Sequence, residues 1–209
     1  MDMQFYGADC IVLSNKQNRL IIDDTLTSMG SKSVAKDGDI CLFTMTEHPT
    51  PGAKPKLTID MPGEYEVGSI SIFGIQTRAH MDESSQKMAT MYKITWGDTR
   101  ILVVGHAFPK LTDDQLESIG VIDVMFVPVG GNGYTLDATG ALQLVKVVEP
   151  KIVIPTHYDD PGIHYEVPQA GLEDALKALG IEVRERVSKF QFKYNDTATT
   201  QLVVLETAK

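Results

Sequence analysis

Apolar and polar positions alternate or cluster over short stretches early in the chain, and a helical period takes over later. Residues 2–6, 10–14 and 19–23 predict short strands, with Asn15–Asn18 as the turn between the last two. ICLFT at 40–44 is fully apolar and reads as another strand, whereas TEHPTPGAKPKL at 46–57 holds three prolines and a glycine and must be loop. Residues 57–75 read as strand, a turn over PGEY and strand. MYKITW and TRILVV flank Gly97-Asp98, a two-residue hairpin signal in which glycine supplies the positive φ. Thr112 followed three residues later by Gln115 is a capping-box signature, and Gly120 closes that short helix. DVMFVPV at 123–129 predicts a strand running into the loop Gly130-Gly131-Asn132-Gly133. Ala138, Ala141, Leu142, Val145 and Val148 then mark one helix face, and KIVIP forms a strand that delivers His157 and Tyr158 at its end. Leu172, Ala175, Leu176 and Leu179 form the face of a further helix ended by Gly180, and QFKYN and TTQLVVLE read as closing strands.

Strands first and helices interleaved later, with no repeat and no linker, predict an α/β fold of two sheets with helices packed outside. At 209 residues with 43% hydrophobic side chains, residues 1–209 are expected to form one domain with a substantial core. No apolar run approaches the roughly 20 residues that span a bilayer, and MDMQFYGADC lacks the basic and apolar segments of a signal peptide. Cys10 and Cys41 lie inside apolar runs without metal-type spacing and read as buried thiols, which with the missing leader predicts a cytoplasmic protein. A formal charge of −9 excludes non-specific nucleic-acid and anionic-membrane binding, both of which need a basic surface.

Several chemistries are absent. The chain has no Gly-x-Ser-x-Gly elbow and no Cys-x-x-Cys pair, and the spacing of Gly130, Gly131 and Gly133 matches neither a P-loop nor a dinucleotide fingerprint. What stands out is a histidine at the end of a strand, where open α/β sheets build their sites.

Four blocks carry a family resemblance: FYGADCIVLSNKQNRLIIDD, MPGEYEVGSISIFGIQTRAH, ILVVGHAFPKLTDDQLESIGVIDVMFVPVGG and IVIPTHY. In this order they resemble the small metallo-β-lactamase-fold zinc-dependent hydrolases, near the group with the L-ascorbate-6-phosphate lactonases, along nearly the whole chain. The resemblance implies a four-layer αββα sandwich and a zinc-dependent attack of water on a carbonyl or phosphorus. It also implies a His-x-His-x-Asp-His ligand loop after ICLFT, and here the chain departs. That loop reads TMTEHPT, the bridging aspartate expected after Gly105 is His106, and the histidine of an opening Gly-His is Ala8.

His80 and His157 remain in their expected blocks, His106 is new, and Asp23 matches the aspartate that braces the site from behind. Three imidazoles from three strand ends would hold one zinc ion at most, with a fourth position open to water. Glu47 and His48 are weaker candidates, beside the plain readings of a solvated carboxylate and a hydrogen-bonded loop histidine. Asp23 has its own plain reading, a carboxylate that caps strand ends with no metal present. Two functions follow. One is a metal-dependent hydrolase of an ester, lactone or phosphoester with a reduced site and a small-molecule substrate. The other is an inactive descendant with no metal, serving as a binding or assembly module for a protein partner. Pairing of an edge strand with a second copy stays open.

Overall fold

The computed structural model describes residues 1–80, 87–194 and 199–208. A first sheet runs in the order β1 (Asp2–Phe5), β2 (Ile11–Ser14), β3 (Arg19–Ile22), β4 (Ile40–Leu42) and β5 (Leu57–Ile59). Its strands obey the period of two. Ile11, Leu13, Leu20, Ile22, Ile40 and Leu42 point into the main core, while Val12, Ile21 and Cys41 point to a second cluster on the other face. Both faces are covered, which is why ICLFT shows no alternation in sequence. Cys10 and Cys41 are free and buried in that outer cluster, and burial pushes both thiols above their ordinary pKa.

The second sheet contains β6 (Gly63–Val67), β7 (Ile70–Arg78), β8 (Met88–Trp96), β9 (Thr99–Val103), β10 (Val124–Pro128), β11 (Ile152–Thr156), β12 (Val183–Val187) and β13 (Gln201–Leu205). Its order is β12-β13-β11-β10-β9-β8-β7-β6, parallel from β12 to β9 and antiparallel from β9 to β6. Of three helices, α1 (Asp113–Ile119) packs on β7 and α2 (Ala138–Val148) on β10, while α3 (Leu172–Leu179) packs on α2 and adds Ala175, Leu176 and Leu179 to the core. Inner-face residues of both sheets share one core, from Met3 and Leu20 to Ile72, Phe126 and Ile154. The result is the expected sandwich of sheets with helices. The layer outside the first sheet is a single 3-10 turn, Leu26–Met29, with loop residues such as Val34 and Ile163.

Most predicted elements form where the pattern places them. Gly97 takes φ +62 in the β8–β9 hairpin, and Thr112 and Gln115 close a reciprocal capping box. Two expectations are corrected. Gly63, Glu64 and Tyr65 of PGEY belong to β6, because the turn falls earlier, at Met61-Pro62, where the Tyr65 hydroxyl donates to the Met61 carbonyl. The described part of QFKYN, 191–194, forms no strand; Asn195 lies outside the described residues. Its aromatics instead surround a cation, with Lys151 Nζ 3.8 Å from the Tyr194 ring centroid. No helix among the described residues is long and apolar enough to cross a membrane.

Candidate metal centre

Segments at the carboxyl ends of β3, β4, β7, β9, β10 and β11 converge with the turn between β1 and β2 around a cleft of about 480 Å³. The β1–β2 turn is tight: Tyr6 N donates to Cys10 O, and Cys10 N donates to Gly7 O. Gly7 holds φ +104, and a Cβ there would strike Ile163, so the turn needs glycine. It aims Asp9 inward, and Asp9 is only 2% exposed. The end of β11 is stitched to this turn, since His157 N donates to Ala8 O at 2.7 Å and Thr156 Oγ1 donates to Asp9 Oδ1 at 2.6 Å. Ala8, Asp23 and His157 all sit at φ near +50, a region that costs energy outside glycine and that clusters at functional sites.

Asp9, His106 and His157 bring one ligand-type atom each within 4.8 Å of one another. The two imidazole rings stand nearly perpendicular, 6.0 Å between centroids. His157 Nδ1 lies 3.2 Å from Gln169 Oε1, and His106 Nδ1 lies 3.0 Å from Thr44 Oγ1. Asp9 Oδ2 and His157 Nε2 are buried and have no hydrogen-bond partner among the described residues. Leaving such atoms unpaired costs about 1–3 kcal/mol each unless something fills the gap. Two imidazoles and one carboxylate are a donor set for zinc, iron or manganese, so the residues present fit one divalent ion.

The sequence candidates are distributed unevenly. His106 and His157 belong to the converging group; His80 lines the same cleft but is not part of it. After β7 the chain bridges to the 106–107 segment, with His80 N donating to His106 O, and the His80 ring leans toward Phe108. Its Nδ1 is buried without a partner among the described residues, and burial holds its pKa below the ordinary histidine value. Asp23 braces from behind, accepting Thr44 N and Thr44 Oγ1 at 2.7 Å each. Burial pushes its carboxyl up to about 6. His48 stacks on Phe43 at 3.6 Å and meets Pro49 O and Asp60, so both ring nitrogens are engaged. The Glu47 carboxylate is 83% exposed and faces Lys87 at 3.9 Å. The TMTEHPT loop therefore brings no ligand to the converging group.

Asp9, Thr44 and Gln169 were not legible as site residues, although a carboxylate inside the apolar run FYGADCIV is a signal for the first. Tyr134 also closes on the group, its ring 5.9 Å from that of His106 and 5.5 Å from that of His157. Gly130 makes room behind it: a Cβ there would collide with the His157 carbonyl oxygen and Gln169 Oε1.

Comparison with known proteins places the fold that carries these residues. A family model described as the beta-lactamase superfamily domain matches residues 2–157. A UPF0173 metal-dependent hydrolase of Carboxydothermus hydrogenoformans is 37% identical over 70 residues, covering 33% of this chain and 30% of its own length. One of Salinibacter ruber is 34% identical over 89 residues, 42% of this chain and 38% of its own. The matched segments thus span about a third of those relatives. Among solved structures, a Thermotoga maritima protein assigned to the Zn-dependent hydrolases of the metallo-β-lactamase superfamily superposes with a TM-score of 0.75. It covers 98% of this chain and 97% of its own at 21% identity. Igni18, a metallo hydrolase from Ignicoccus hospitalis, superposes at 0.60 with 15% identity over 100% of this chain and 96% of its own. At these identities the likeness is one of fold.

Proposed function

The chain belongs to the β-lactamase superfamily, and from that premise we propose that it is a metal-dependent hydrolase with a reduced centre for one ion. Asp9, His106 and His157 would hold the ion. The observation that carries this reading is the pair of orphaned buried atoms, Asp9 Oδ2 and His157 Nε2, on residues that bring ligand-type atoms within 4.8 Å of one another and of His106. When bound, a divalent ion supplies Lewis acidity that polarises a carbonyl and activates water near neutral pH. The chain's own residues do the rest. Tyr134, whose pKa burial raises, sets its ring against both imidazoles.

Charge narrows the substrate. Asp9, Asp23, Glu47 and Glu166 line the cleft, and Lys87 is the one ammonium or guanidinium group among its described lining residues. Glu47 and Lys87 offset each other at the rim. Besides the ion, a phosphoester dianion would meet Lys87 alone as a positive partner among the described lining residues, against four carboxylates, so we favour an uncharged ester or lactone.

Metal content of the purified protein, dialysed with zinc or manganese, tests the reading. We expect about one ion per chain, lost in Asp9→Asn and in His106→Ala with the circular dichroism unchanged, and retained in His80→Ala. Background metal in the parent protein would sink the hydrolase and leave the fold serving as a binding or assembly module.

A further inference from the structure

The atoms behind the ligand group carry an inference of their own, which rests on the metal reading for its purpose and not for its evidence. Each candidate ligand has its outward-facing atom occupied by one buried neighbour. Thr156 Oγ1 donates to Asp9 Oδ1, which leaves Oδ2 bare. Gln169 Nε2 donates to the Val167 carbonyl at 2.8 Å, so its Oε1 must be the atom facing His157 Nδ1 at 3.2 Å. An amide oxygen only accepts, hence Nδ1 carries the proton and Nε2 the lone pair.

The same logic runs through Thr44. Its hydroxyl has one hydrogen, and that hydrogen goes to Asp23 Oδ2 at 2.7 Å. Asp23 Oδ1 is already taken by Thr44 N, which fixes the carboxylate in place. Toward His106 Nδ1, at 3.0 Å, the hydroxyl oxygen can therefore only accept. His106 is driven into the same tautomer as His157.

Two glycines make this layer sterically feasible. A Cβ on Gly105, at φ +54, would overlap the Thr44 side chain, and one on Gly130 would overlap Gln169 Oε1 and the His157 carbonyl. The chain gives up side chains at these two positions so that Thr44 and Gln169 can stand directly behind the imidazoles.

We infer that Thr44 and Gln169 are positioning residues that hold His106 and His157 as Nδ1–H tautomers, so that both present an Nε2 lone pair beside the bare Asp9 Oδ2. Asp23 sets the direction of the Thr44 bond. A neutral imidazole ligates through its unprotonated nitrogen, so the wrong tautomer turns an N–H toward the ion and weakens its hold. Asp23→Asn is the sharpest variant. The amide would donate to Thr44 Oγ1, turn the hydroxyl hydrogen onto His106 Nδ1 and move that ring's own proton to Nε2, with almost no change in volume.

Nitrogen-15 histidine spectra of the metal-free protein above the titration range of imidazole read the tautomers directly. Signals are assigned by their loss in His106→Gln and His157→Gln. We expect Nδ1–H for both rings in the parent, an Nε2–H form of His106 in Asp23→Asn, loss of the fixed tautomer in Thr44→Val and its return in Thr44→Ser. Gln169→Leu should release His157 alone. Zinc affinity, read by competition with a chromogenic chelator, should fall about 10–100-fold in Asp23→Asn, Thr44→Val and Gln169→Leu. An Nε2–H tautomer of either ring in the parent protein overturns the inference, and that spectrum needs no variant to fold. Unchanged tautomers in the folded variants overturn it as well. Parent protein that binds no zinc yet shows both Nδ1–H forms and their release would support the positioning roles and sink the metal reading instead.

Discussion

At the scale of single residues, the histidines could be read from the sequence and their partners could not. His106 and His157 announce themselves because each ends an apolar run at a strand's carboxyl end. Asp9 does so only faintly: its place in an apolar run is a signal, but FYGADC does not tell a carboxylate aimed inward from one capping a turn. Thr44 and Gln169 are ordinary residue types whose role exists only in three dimensions, through contacts 62 and 12 residues away in the chain. Gly130 is the most exacting position of this group. Its φ is not in the left-handed region, so the requirement is purely one of close approach to the His157 carbonyl and Gln169 Oε1. Backbone on one side and a fixed amide on the other leave no flexible end to move aside. Gly130→Ala should cost about 1–3 kcal/mol or more by overpacking and displace Gln169. Gly171→Ala, with open space around its Cβ, should be near neutral. Urea unfolding of the two variants checks this, and equal costs would show that Gly130 is not constrained as argued.

At the scale of elements, the local rules were reliable where one rule acted alone. The hairpin at Gly97-Asp98 and the capping box of α1 needed only glycine's freedom and two side-chain bonds. PGEY misled because turn-forming residues and a strand's period of two occupy the same positions. Glu64 and Glu66 are exposed, and Tyr65 and Val67 pack partly on the core, so β6 keeps the alternation that the Pro-Gly pair conceals. QFKY misled in the opposite way, since aromatics that favour strands here pack around Lys151. The α1 cap also fastens an element to the sheet: Gln115 Nε2 donates to the Gln76 carbonyl of β7 at 2.8 Å while Oε1 accepts Thr112 N. Thr112→Ala should cost about 1 kcal/mol, the usual worth of an N-cap. Gln115→Ala should cost more, because it loses the tie to β7 too. Hydrogen exchange of the α1 amides would report both, and equal protection in the two variants would mean that the tie contributes nothing.

At the scale of the whole molecule, the order of motif blocks made the sandwich legible, while the chemistry of its two ends had to come from the structure. Strands β9, β10 and β11 run parallel, so their amino ends share one side of the molecule and their carboxyl ends the other. Each side holds a buried carboxylate, and the two respond to pH with opposite sign. At the amino ends, burial pushes Asp123 up, but bonds from Arg100 and Lys151 outweigh it and hold its pKa below the ordinary value. Its contribution is present above its unfolded pKa and is lost as pH falls through the folded one. At the carboxyl ends, Asp23 is raised from 3.8 to about 6, chiefly by burial. Its contribution is complete below the unfolded value and is lost as pH rises through about 6, a tenfold difference in proton affinity being worth about 1.4 kcal/mol. The cleft side of the sandwich therefore carries a destabilised carboxylate at neutral pH, the one that accepts the Thr44 hydroxyl. Melting of the metal-free protein from about pH 4 to 8 should show the parent losing stability relative to Asp23→Asn as pH passes about 6. Relative to Asp123→Asn it should lose stability only as the medium becomes acidic. Parallel curves for the parent and Asp23→Asn across that range would mean that Asp23 is not the strained group behind the site.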